Sequence, residues 1–202
     1  MTELRRRDLL ALAAALTATP VFAQESVAAE TTPVALTTPL GRIVIALETG
    51  RAPITSANFL AYVDRKLYDG ASFYRASRPP NSTSDSYGLV QGGLRDLPER
   101  LLPQIAHEST AQTGLRHVNG TISMGRNAPG TAQADWFICL GDQLYLDADE
   151  QRPGFAAFGR VTEGLEIVKQ ILVAPVDPDA GTGSMKGEIL KDPVPITTAR
   201  RI

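Results

Sequence analysis

The stretch from Asn119 to Leu140, NGTISMGRNAPGTAQADWFICL, decides the fold. Its flanks, NGTISMGR and ADWFICL, are short β-forming runs, and NAPGTAQ between them carries the proline and glycine of a loop. Working outward, the same kind of unit recurs. ASFYRA (71–76) and GLVQGG (88–93) read as strands upstream, and GFAAFGRV (154–161) as a strand downstream. Earlier still, VALTTPLGRIVIALE (34–48) predicts two short strands around Pro39–Gly41, with Ile43, Ile45 and Leu47 alternating onto one face. Two segments have helical character. In residues 52–70, Pro53 suits a first turn, Leu60, Val63 and Leu67 share a face, and Asp69-Gly70 is the stop. Residues 164–172 carry a second stripe, Leu165, Val168 and Leu172, and the tail PVPITTARRI alternates like a closing strand. Many short strands with only two helices predict a mainly β barrel or sandwich.

The first residues have a different character. A basic start, the apolar run Leu9–Ala18 and the small-residue site Val21-Phe22-Ala23 resemble an export signal cut after Ala23. The run is too short to span a bilayer, which takes roughly 20 apolar residues. Arg6-Arg7 also allows a twin-arginine route beside the general secretory one. The expected organisation is therefore a signal over 1–23, a flexible leader over 24–33 and one domain over 34–202 in an exported, periplasmic protein. Removing the signal takes three arginines, Glu3 and Asp8, so the formal charge moves from -2 to -3. A weakly acidic surface gives no electrostatic reason to expect nucleic acid or membrane as partner, and nothing demands more than a monomer. The single cysteine, Cys139, sits in an apolar run and reads as buried packing.

Several chemistries lack their residues. Two histidines ten positions apart, His107 and His117, do not make a zinc site. Asp142, Asp147, Asp149 and Glu150 lack calcium-loop spacing and read as a solvated acidic turn. No nucleotide-binding glycine motif or serine-nucleophile motif is present, and no cofactor is implied. A serine, a histidine and an aspartate can be picked out, but without nucleophile spacing.

FYR, LVQGG, GTISMGR, WFICL, YLD and FAAFGRV, in that order, resemble the cyclophilin family of peptidyl-prolyl cis-trans isomerases, from about Leu36 to Ile171 and closest to its exported bacterial branch. The resemblance implies an eight-stranded antiparallel barrel closed by two helices. It also implies that Arg75 is the catalytic arginine and Gln91 the glutamine that binds the substrate backbone. Substrate contacts would come from Leu89, Met124, Gly125, Arg126, Asn127, Asp135, Phe137, Tyr145, Leu146 and Phe155. The partners implied are Pro-containing segments of unfolded or flexible proteins. There are departures from the pattern. Tyr74 replaces a histidine at a place expected to lie outside the chemistry. Asp135 replaces a glutamine that helps hold the arginine, a task a carboxylate would do by ion pairing. The interval from Arg75 to Gln91 is lengthened, so Tyr87 or Gly88 takes the place of a pocket phenylalanine. Tyr145 and Phe155 stand for a tryptophan and a histidine.

These residue types suit bond rotation. The barrier to peptide isomerisation is about 18–20 kcal/mol because resonance must be broken. As it breaks, the prolyl nitrogen becomes pyramidal and regains a lone pair. A guanidinium aimed at that lone pair stabilises the twisted state more than the planar one. Apolar walls would grip the ring and strengthen the electrostatics. Two functions follow from the same residues: a foldase that rotates X-Pro bonds, or a non-catalytic module that only holds Pro-containing segments.

Overall fold

The computed structural model describes residues 30–202, so the expected signal and most of the leader lie outside the described residues. The first strand, β1 (Thr32–Thr38), begins two residues ahead of Val34. It turns at Pro39-Leu40 into β2 (Gly41–Leu47), pairing along its whole length and burying Ile43, Ile45 and Leu47 on one face. Helix α1 (Pro53–Asp64) starts with proline in its first turn. Its free backbone N–H groups are met by a distant carboxylate: Ile54 N and Thr55 N donate to Glu108 at 3.1 and 2.6 Å. The helix stops at Asp64, short of the expected Asp69-Gly70, and the chain turns through Lys66 at a left-handed φ of 56°.

Strands β3 (Ser72–Ser77) and β4 (Gly88–Gly93) follow, separated by the long loop 78–87. A single-turn helix α2 (Thr110–Thr113) precedes β5 (Thr121–Met124) and β6 (Trp136–Leu140). Then come β7 (Ala157–Glu163), α3 (Leu165–Leu172) and the two-residue β8 (Val176–Asp177). The tail is two strands rather than one, β9 (Ile189–Pro195) and β10 (Thr198–Arg201).

The ten strands among the described residues form one antiparallel sheet in the order β10-β1-β2-β7-β5-β6-β4-β3-β9-β8. Strands β9 and β10 stand eight spacings apart in that order, which in a flat sheet is about 38 Å. Yet only Ile196 and Thr197 separate them in the chain, a reach of about 11 Å. The sheet must therefore curl until its ends meet, and the linking residues bind both sides: Ile196 N donates to Ala71 O at 2.7 Å and Thr197 N to Thr37 O at 2.8 Å. The strand number exceeds the expected eight because β8 is a short edge piece and the tail divides. Among the described residues the α-helix number exceeds two by the one-turn α2.

The interior is aromatic on one side. Phe59 and Tyr62 of α1 pack with Tyr68, Phe73, Trp136 and Phe158, with Phe73 edge-on to Trp136 at 5.2 Å. The glycine pair of β4 makes this packing possible. A Cβ on Gly92 would stand 2.9 Å from the Trp136 ring, and Gly93, at φ 142°, lies against the Asp135 carboxylate.

Candidate active site

Strand register builds the site. Arg75 of β3 pairs with Gln91 of β4, Gln91 with Phe137 of β6, and Phe137 with Ser123 of β5. Because side chains alternate across a sheet, this rung faces away from the interior that Val90, Ile138 and Trp136 fill. The outward residues line a cleft of about 470 Å³. The structure brings Arg75, Leu89, Gln91, Gly125, Arg126, Asn127, Asp135, Phe137, Leu146 and Phe155 to it. Met124 and Tyr145 do not line it. Met124 pairs with Trp136 on the opposite face of the sheet and is fully buried in the main core. Tyr145 lies in a 3-10 turn over Leu144–Leu146, where neighbouring side chains point about 120° apart, so Leu146 enters the cleft and Tyr145 is 54% exposed.

Arg75 is held on three sides. Its Nε and Nη2 donate to one oxygen of Glu188, at 2.8 and 2.6 Å. Nη2 also donates to the Ser184 carbonyl at 3.3 Å, and Nη1 donates to Gln91 Oε1 at 2.8 Å. A guanidinium has five N–H donors, so one Nη1 N–H is left without a partner among the described residues. The second oxygen of Glu188 accepts from Ser77 Oγ at 2.6 Å. Glu188 reaches this point because it precedes β9, whose first residue, Ile189, is opposite Arg75. Gln91 is oriented at its other end too, where Nε2 donates to the Tyr74 hydroxyl at 2.7 Å.

Two expectations are corrected here. Asp135 does not hold Arg75. It sits two residues before Phe137, just ahead of β6, a step of about 7 Å, and its carboxylate accepts from Leu94 N at 3.0 Å. Burial pushes its pKa up. Tyr74, expected outside the chemistry, instead anchors the glutamine. Burial, then the neighbouring Asp135 charge, pushes its phenol far up, so it stays a neutral hydroxyl.

The apolar wall is a small cluster separate from the main core: Phe137, Cys139 and Leu146, flanked by Leu89 and Phe155. The Phe137 and Phe155 rings meet edge to face at 5.5 Å. Arg126 lies over Phe155, 4.7 Å from the ring centre, and donates to the Gly154 carbonyl. Cys139 is buried as expected, and burial pushes its thiol up to about 12. Buried behind the wall on the same face of the sheet, His117 stacks on Phe137 at 6.0 Å.

Here the structure departs from the expected solvated acidic turn. Asp147 accepts from His117 Nδ1 at 2.7 Å and from the His117 amide at 2.9 Å. The imidazole's other nitrogen then accepts from Ser123 Oγ at 2.9 Å. This serine-histidine-aspartate chain has the connectivity of a nucleophile triad, but Ser123 and His117 are both 0% exposed. No substrate reaches the hydroxyl, so the chain works as bracing behind Phe137 and Leu146. Burial holds the His117 pKa below its ordinary value against the pull of Asp147. The unfolded chain therefore binds a proton that the folded one refuses, and stability falls as pH drops below about 6.5. We expect urea midpoints measured from pH 7.5 to 5 to fall for the wild type and to flatten for His117→Asn; an equal slope in both would refute this.

Glu188, Tyr74, Arg95 and the Ser184-Met185 rim escaped sequence reasoning. The only signal for Glu188 was indirect: an arginine placed in a cleft needs a partner, and the candidate carboxylates included one in the glycine-rich stretch before the closing strand.

An antiparallel sheet curled on itself, carrying an arginine-glutamine pair beside an apolar cleft, is the class this geometry defines. The chain belongs to the cyclophilin type peptidyl-prolyl cis-trans isomerase family, an enzyme family whose model matches residues 33–200. It is 38% identical over 176 residues to the peptidyl-prolyl cis-trans isomerase cyp18 of Streptomyces antibioticus, covering 83% of this chain and 96% of that one. It is 34% identical to peptidyl-prolyl cis-trans isomerase A of Dickeya dadantii, covering 82% and 84%. A cyclophilin type isomerase of Cryptosporidium parvum, solved in the presence of the dipeptide Ala-Pro, shares the fold at a TM-score of 0.67 and 18% identity, covering 84% of this chain and 98% of that one.

Proposed function

We propose that this isomerase rotates X-Pro bonds in exported proteins as they fold, with Arg75 stabilising the twisted bond. The observation that carries the reading is the guanidinium beside the apolar cleft, with one N–H unclaimed among the described residues next to Gln91. The proline ring lies against Phe137, Leu146 and Leu89, and the free Nη1 donor meets the prolyl nitrogen as its lone pair forms. Gln91 and the backbone of Gly125–Asn127 hold the segment before the proline, so rotation falls on the segment after it. No covalent bond forms or breaks, and no cofactor is called for. The export assignment rests on the sequence of residues 1–23.

The test pairs a protease-coupled isomerisation assay on an Ala-Pro peptide with fractionation of cells expressing the full chain. Expected are catalysed exchange and a shortened periplasmic product. Peptide binding without catalysed exchange would instead establish the holding module, and an uncut cytoplasmic chain would remove the export role.

A further inference from the structure

We propose that a smaller cavity beside the cleft is a second peptide subsite, built to take an aromatic side chain two residues after the proline. It encloses about 210 Å³ between Arg78, Pro79, Tyr87, Leu89 and Tyr145, with Ser77 in its wall. That volume is below the ~300 Å³ at which pockets begin to hold a separate small molecule. It has room for a single side chain. Leu89 lines both cavities, so the two are neighbours on either side of its side chain.

Register fixes which part of a peptide reaches it. Along β3, β4 and β6, the Arg75–Gln91–Phe137 rung lies between two others. On one side, Asp135 accepts from Gly125 N; on the other, Ser77 pairs with Leu89 and Leu89 with Cys139. The Gly125–Asn127 segment and the second cavity therefore lie on opposite sides of Arg75. If Gly125–Asn127 hold the segment before the proline, as the functional reading above has it, the second cavity meets the segment after it. Ser77 is two residues from Arg75 on the same face, a step of about 7 Å, which is also the spacing of same-face side chains in an extended peptide. The occupant is thus the second residue after the proline.

Its chemistry follows from the walls. Tyr87 and Tyr145 are among the large apolar side chains left exposed, and Pro79 and Leu89 add apolar surface. Arg78 makes no ion pair among the described residues, and a guanidinium at an aromatic wall favours an incoming ring over an aliphatic chain. Three of these residues, Arg78, Pro79 and Tyr87, come from the lengthened loop, so the insertion supplies the pocket.

The experiment uses the full chain and paired peptides, Ala-Ala-Pro-Ala-Phe and Ala-Ala-Pro-Ala-Gly, with binding and isomerisation measured separately. A third peptide moves phenylalanine to two residues before the proline. Expected is about tenfold tighter binding of the first peptide than of the second, the scale of a single apolar pocket contact. Tyr87→Ala and Tyr145→Ala should each bring that ratio toward one, and Tyr145→Phe should keep it. A ratio of one in the wild type, a ratio unchanged in both alanine variants, or a preference that follows phenylalanine to the other side would each overturn the subsite. Because the ratio is read from binding, loss of turnover on every peptide would end the isomerase reading and leave this one standing.

Discussion

Arg75→Ala is expected to lower kcat/KM for an Ala-Pro peptide by about 100- to 1,000-fold, the range seen when one preorganised donor is removed from a charge-stabilising site. The loss falls on kcat. The ring contacts of Phe137, Leu146 and Phe155 stay in place, so peptide affinity measured by titration changes little. Arg75→Lys is expected to recover little of this, because an ammonium cannot serve Glu188, Ser184, Gln91 and a prolyl nitrogen in one plane. A rate within threefold of wild type for Arg75→Ala would show that enclosure and backbone contacts do the work, and the proposed mechanism would fall.

The second large effect is expected at Glu188. Its carboxylate takes two of the guanidinium's four occupied donors and fixes the third side chain, Ser77, at its other oxygen. Glu188→Ala frees the arginine to turn about its side-chain bonds and should lower kcat about tenfold, equivalent to ~1.4 kcal/mol at the transition state. KM should stay near its original value, since Glu188 does not line the cleft. Glu188→Gln tests whether position or charge matters. Its amide oxygen accepts from Arg75 and its NH2 donates to Ser77, so the geometry is rebuilt without the negative charge. Recovery of most of the rate in Glu188→Gln assigns a positioning role; a rate above wild type would mean that the carboxylate restrains the cation by neutralising it. Unchanged kcat in Glu188→Ala would dismiss the role altogether.

Strands β1 to β7 were legible because each is a short β-forming run ended by glycine, proline or a polar turn, as in GLVQGG and ADWFICL. Helix α1 was legible from Pro53 and its apolar spacing, but its end was not, since a turn at Lys66 with positive φ carries no residue-type signature. Arg75, Gln91 and the apolar wall could be placed from motif order. The arginine's partner could not. Glu188 is 113 residues away in sequence, and only the pairing of β3 with β9 brings it alongside. Asp135 was the nearer guess in motif terms, but a displacement of one rung along β6 puts its carboxylate under Gly93 instead. Met124 was misplaced for a related reason: motif position does not say which face of a strand a residue occupies, and register does. The His117–Asp147 pairing was hidden by thirty residues of separation.

The seam at Ile196-Thr197 bears on how the molecule comes into being. Strand β1 finds its outer neighbour only in β10, where Val34 pairs with Arg201 and Thr37 with Thr198. The first hairpin keeps one edge bare until that far segment docks, and pairing across such a distance along the chain is slow. Until that strand docks, the outer edge of β1 is a row of unpaired backbone groups, the kind of surface onto which a strand of another chain can add.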